Sequence, residues 1–143
     1  MSLPSHLTLE IVTPDRALAH EEVDEVQLPG TEGNLGILPG HTPLLTNLRV
    51  GQAWYRKGSE KFYLSIAFGF AEVLPDRVRL LAQIAERAEE IDIRRAEEEK
   101  RKAEDLLQSV RTGAPEVDLE RARISLMKAM IRIQVASKAR IRT

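Results

Sequence analysis

The sequence predicts an antiparallel β-sandwich or flattened barrel over residues 1–86, followed by a two-helix antiparallel hairpin over 87–143. Three observations carry that prediction. Apolar and polar residues alternate in short runs up to about residue 85, and Gly/Pro turn signals separate the runs. Beyond that point apolar residues recur at spacings of three and four on a charged background. Composition shifts at the same place: all the aromatics and six of the seven prolines lie before it, whereas Ala, Glu, Arg, Lys, Ile and Leu dominate after it.

The strands follow in order. Leu7, Leu9 and Ile11 share one face, with Thr8, Glu10 and Val12 between them; Val26 and Leu28 come next. Phe62, Leu64 and Ile66, then Val78 and Leu80, repeat the period of two. Turns are expected at Pro14-Asp15, Pro29-Gly30, Pro39-Gly40, Lys57-Gly58-Ser59 and Pro75-Asp76. The stretch Gly33–Thr46 is so rich in Gly and Pro that it reads as a loop shaped for a specific surface. A parallel sheet with helical crossovers has no helices to use in this half.

The helices follow. Ile91, Ala96, Ala103, Leu107 and Val110 trace a narrow stripe; Leu119, Ala122, Leu126, Ala129, Ile133 and Ala136 trace a cleaner one. Gly113-Ala114-Pro115 supplies the break between them. Each helix is preceded by the same signature, Ile91-Asp92 and Val117-Asp118, an apolar residue before an Asp N-cap. Alanine contributes little burial per residue, so this hairpin is expected to be only modestly stable against other arrangements.

Several function classes are disfavoured. A net charge of -1 advertises neither nucleic acid nor a membrane surface. There is no cysteine, hence no disulfide and no thiolate nucleophile. No apolar run reaches the roughly 18 residues of a membrane span, and the N-terminus reads as neither a secretory signal nor a transit peptide. His6, His20 and His41 lack metal-ligand spacing; His41 reads as a loop histidine bonded to backbone. No nucleophile elbow or phosphate loop occurs, so no catalytic residue is assigned. The charge of the last helix is one-sided: after Glu120 every charged residue is basic, including Arg121, Arg123, Lys128 and Arg132. Such a helix suits an acidic partner or an anion. Lys128 and Arg132, four apart, share a face that could approach Asp92 and Arg95 and bracket a polyphosphate.

Two blocks carry a resemblance over nearly the whole chain. They are Glu32-Gly33-Asn34-Leu35-Gly36-Ile37-Leu38-Pro39-Gly40-His41-Thr42-Pro43-Leu44-Leu45-Thr46 and Ile91-Asp92-Ile93-Arg94-Arg95-Ala96. In order and spacing they resemble the epsilon subunits of bacterial-type rotary (F-type) ATP synthases. The resemblance implies a sandwich of about ten strands and a non-catalytic central-stalk rotor role in a proton-translocating enzyme. It implies docking on the gamma subunit and on the c-ring, without insertion into the membrane. Glu32, Asn34, His41, Thr42 and Pro43 match the c-ring side; Asn34 stands where several members carry an acid. The implied location is the cytoplasmic face of a bacterial plasma membrane, ahead of a chloroplast thylakoid.

For the hairpin, the resemblance implies two states, one folded and one extended along gamma. The extended state blocks ATP hydrolysis, with Arg121, Arg123, Lys128 and Arg132 facing an acidic surface of the beta and alpha subunits. Some members bind ATP in the folded hairpin as a regulatory ligand, with no cofactor required. The matching residues are Glu86, Ile91, Asp92, Arg95, Ala96 and Arg132, with Lys128 where the best ATP binders have arginine. The alternative reading is an unrelated β-sandwich adaptor whose basic tail binds an acidic protein.

Overall fold

A computed structural model describes residues 3–111 and 119–139. The chain divides into two compact units, Met1–Arg87 and Ala88–Thr143. The break Gly113-Ala114-Pro115, the expected cap Asp118, Arg140 and Arg142 lie outside the described residues.

The first unit contains β1 (Leu7–Val12), β2 (Ala17–Val23), β3 (Glu25–Gly30), β4 (Gly33–Ile37), β5 (Leu44–Leu48), β6 (Gly51–Lys57), β7 (Glu60–Leu74) and β8 (Arg77–Arg87). Eight strands suffice because the long ones bend instead of ending. β5 and β6 lie one after the other along β7, in a shared register that runs Leu48↔Gly69 and then Gly51↔Ile66. β8 pairs with β7 along its whole length. The bend falls at Phe68 and Gly69, both with positive φ (63° and 127°). Gly69 is obligatory there: a Cβ would stand 2.1 Å from the Leu81 carbonyl oxygen. The sheet order β2-β1-β8-β7-β5-β3-β4, with β6 bridging β3 and β7, then folds over itself. One pairing is parallel, β1 with β8. Its crossover is the rest of the sandwich, so no helix is needed.

The alternating residues point into one core. Leu7, Leu9, Ile11, Val26, Leu28, Leu64, Ile66, Val78 and Leu80 are all buried. Tyr55 lies among them, stacked on its cross-strand neighbour Phe62 with ring centroids 5.0 Å apart. Its hydroxyl donates to Glu21 Oε2 (2.7 Å) and accepts from Arg87 Nη1 (2.8 Å), which satisfies the polar end of a buried ring. Burial pushes the Glu21 carboxyl up, but hydrogen bonds from Tyr55 and Lys57 and the nearby cations outweigh it and leave the pKa lowered.

The stretch expected to be one loop, Gly33–Thr46, is mostly strand. β4 and β5 occupy both ends of it, and residues 38–43 alone connect them. Gly33 and Gly36 are tolerated because both hold exposed positions of β4, the last strand of the sheet order, while Leu35 and Ile37 pack toward the core. A Cβ at Gly36 would meet nothing within 4 Å.

The second unit opens with a 3-10 turn, Ala88–Glu90, and holds α1 (Ile93–Arg111) and α2 (Leu119–Ala136). Asp92 caps α1: its Oδ1 accepts from the Arg95 amide at 3.1 Å. Ile91 before the cap and Ala96 in the first turn are both buried, the positions of a hydrophobic staple. α1 and α2 pack together through a seam of alanines, with Ala96, Ala103, Ala122, Ala129 and Ala136 all buried. Leu119, predicted to join the seam, is 38% exposed, while Val135 is fully buried.

Candidate functional site

Two surfaces collect the residues singled out by the sequence. The first is the β3–β4 hairpin and the β5 strand beside it. Gly30 pairs with Gly33, leaving Thr31-Glu32 as a two-residue turn. Arg49 clamps this tip to the next strand. Its Nε donates to the Gly30 carbonyl (3.1 Å), Nη1 to the Val50 carbonyl (3.2 Å) and Nη2 to Asn34 Oδ1 (2.8 Å). The tip therefore stands as a fixed shape. An open depression of about 550 Å³ lies beside it, lined by Gly30–Leu35 and Leu44–Asn47. Glu32 and Asn34 line it and are exposed. Leu38, Leu44 and Leu45 add apolar surface, Leu45 at 68% exposure.

His41, Thr42 and Pro43 lie in the connector that leads into β5. His41 Nδ1 sits 2.6 Å from the Thr42 carbonyl oxygen, which can only accept, so that nitrogen carries the proton. The expected backbone-bonded loop histidine is what is found. The Gly40 amide donates to the Pro75 carbonyl at 2.7 Å, which ties the connector to the β7–β8 turn.

The second surface is on the helical unit. Arg95, early in α1, and Arg132, late in α2, are brought to one place, as an antiparallel pair requires. Glu99 stands between them: Arg95 Nε donates to its Oε1 (3.2 Å) and Arg132 Nη1 to its Oε2 (2.9 Å). Asp92 is at the head of the same helix, spending one carboxylate oxygen on the cap. Lys128 is half-buried one turn before Arg132, while Arg121 and Arg123 are exposed nearer the start of α2. Ile91 and Ala96 are core residues of this unit, so their part in any site is to place Asp92 and Arg95. Glu86 belongs to the first unit, on β8 opposite Ser65. Sequence reasoning missed Arg49 and Glu99. The Arg95–Glu99 spacing of four was legible, but a partner thirty-three residues away was not.

The family model described as "ATP synthase, Delta/Epsilon chain, beta-sandwich domain" matches residues 6–88, and "ATP synthase, Delta/Epsilon chain, long alpha-helix domain" matches 89–137. The chain belongs to the ATP synthase epsilon-chain family. Its relatives include the ATP synthase epsilon chain of Koribacter versatilis, 52% identical over 107 residues, covering 75% of this chain and 73% of that one. The epsilon chain of Herpetosiphon aurantiacus is 48% identical over 136 residues, covering 95% and 98%. Among solved structures, a chain of the Euglena gracilis mitochondrial ATP synthase (OSCP/F1/c-ring) superposes with a TM-score of 0.81. It is 22% identical and covers 97% of this chain and 85% of that chain, a likeness of fold. Membership makes the chain a subunit of a membrane-associated rotary complex, and it rules out the unrelated adaptor.

Proposed function

We propose that the chain is a non-catalytic rotor subunit of the central stalk with two divided tasks. The sandwich docks on gamma and on the polar loops of the c-ring, at the cytoplasmic face of a bacterial plasma membrane. The helical unit inhibits ATP hydrolysis when it extends toward the beta and alpha subunits, and ATP acts as a regulatory ligand of its compact form. The observation that carries this reading is the helical unit itself, where an alanine seam holds two helices whose cations converge at Arg95 and Arg132. A seam of small side chains gives up little burial when it opens, which suits an element poised between two packings. An α2 whose charges after Glu120 are all basic suits steering onto an acidic surface.

Docking by the sandwich is supported by the Arg49-clamped tip and the exposed Leu45 beside it, a preformed surface that loses little entropy on binding. The c-ring and gamma are the expected partners on this side. Co-purification tests it: Leu45→Glu should lower recovery of the subunit with the assembled enzyme about tenfold, equivalent to about 1.4 kcal/mol. Recovery equal to wild type would count against this edge as the docking site.

The ATP reading is tested by calorimetry on the full chain. Binding is expected by millimolar ATP, weakened several-fold by Arg132→Ala or Asp92→Ala. Absence of any binding heat at that concentration would sink it.

A further inference from the structure

The arginine pair read above as an anion site is already bridged by a carboxylate of the same chain. Glu99 presents one oxygen to each guanidinium, 3.2 Å from Arg95 Nε and 2.9 Å from Arg132 Nη1. Two guanidiniums sharing the oxygens of one anion is also how such a pair holds a phosphate group. The Arg132 side chain is 17% exposed and Glu99 42%, so the carboxylate occupies the solvent side of a partly sheltered cation. Helix preference alone contributes little to this placement. Within α1 the pair runs Arg to Glu at i, i+4, the less favourable order, and the Arg95 side chain is 71% exposed. Glu99 reaches beyond its own helix to Arg132.

We propose that Glu99 is a resident intramolecular occupant of this anion site, which the phosphates of a nucleotide must displace. The proposal rests on the ATP reading above and adds its regulation. Two consequences follow. The chain binds ATP more weakly than its cations alone would allow, because only the fraction of molecules with Glu99 swung away is competent. The compact helix pair also keeps an ionic tie in the absence of nucleotide, so ATP has less leverage over it.

The test is titration calorimetry of the full chain with ATP and, separately, with inorganic tripolyphosphate, for wild type, Glu99→Gln and Glu98→Gln. Glu99→Gln keeps the shape and removes the competing charge, and it should bind both ligands about tenfold tighter. Glu98→Gln makes the same change in net charge one residue away, off this face, and should stay within roughly twofold of wild type. Binding only by Glu99→Gln, with wild type silent, supports the occupant role and sinks ATP as a regulatory ligand of the natural chain. Equal or weaker binding by Glu99→Gln beside a binding wild type overturns the occupant role and leaves the ATP reading standing. A gain shared by Glu98→Gln, or confined to ATP and absent for tripolyphosphate, overturns it as well. No binding by any variant up to about 10 mM overturns both readings. A merely structural ion pair would lower the melting point of the helices without tightening either ligand. If circular dichroism finds the helices of Glu99→Gln unfolded, Glu99→Asp decides with the same signs, since its carboxylate is one methylene short of spanning both arginines.

Discussion

Single residues set the local geometry of both units. Gly69 is the clearest case, because its φ of 127° and the 2.1 Å approach of the Leu81 carbonyl leave no room for a Cβ. Gly69→Ala should destabilise the sandwich by on the order of 3 kcal/mol, read as a shift in the denaturant midpoint. The sequence held no sign of this, since the strain belongs to the meeting of β7 with β8 and not to local spacing. Arg49 is similar. Two of its three acceptors, Gly30 and Asn34, lie in the β3–β4 hairpin, nineteen and fifteen residues away, and the third, Val50, is its neighbour. Arg49→Ala should cost about 1–2 kcal/mol and loosen the β3–β4 tip, visible as faster amide exchange at Thr31 to Asn34. Asp92, by contrast, was legible from its place before an apolar-periodic run, and the structure puts its side chain on the Arg95 amide.

At the scale of elements, periodicity read β1, β3, β7 and β8, whose alternating residues line the core, and did not single out β2 or β6. It misread Gly33–Thr46, where glycine and proline were taken as loop signals. On the edge strand β4 the positions of Gly33 and Gly36 have no packing to satisfy, so composition and conformation part company there. The bent β7 explains why eight strands stand where about ten were expected. Tyr55, on β6, offers a pH test of the sandwich. Burial and the hydrogen bond to Glu21 raise its pKa from 10.0 to about 12. The folded state therefore keeps a proton that the unfolded chain releases at pH 10. This contribution is complete below pH 10 and is lost as pH rises through 12, on the order of 2 kcal/mol for a side chain only 1% exposed. The stability gap between wild type and Tyr55→Phe, followed by urea unfolding, should shrink over that window. A gap that stays constant from pH 9 to 12 would contradict the assignment. In the helical unit the alanine stripes were legible, whereas the pairing of Glu99 with Arg132 depends on which turns of α1 and α2 meet.

The whole molecule is two units of different character, a sandwich with a continuous aliphatic core and a helix pair held by alanines and a few ion pairs. That contrast is the physical basis for the proposed division of work, in which the sandwich docks and the helix pair changes state. The division was readable from composition, because strands need β-branched and aromatic residues with turns, while helices of this kind need alanine and charge. What the second unit does in the enzyme was not readable from its own packing, since the inhibitory contact proposed for it lies on another subunit. The most direct measurement is therefore the ATP hydrolysis rate of the assembled enzyme with the full chain and with a chain ending at Arg87, the last residue of the sandwich unit. If the helical unit inhibits, the truncated subunit should remain bound and hydrolysis should rise about threefold or more. An unchanged rate, with the truncated subunit still present in full amount, would contradict the account.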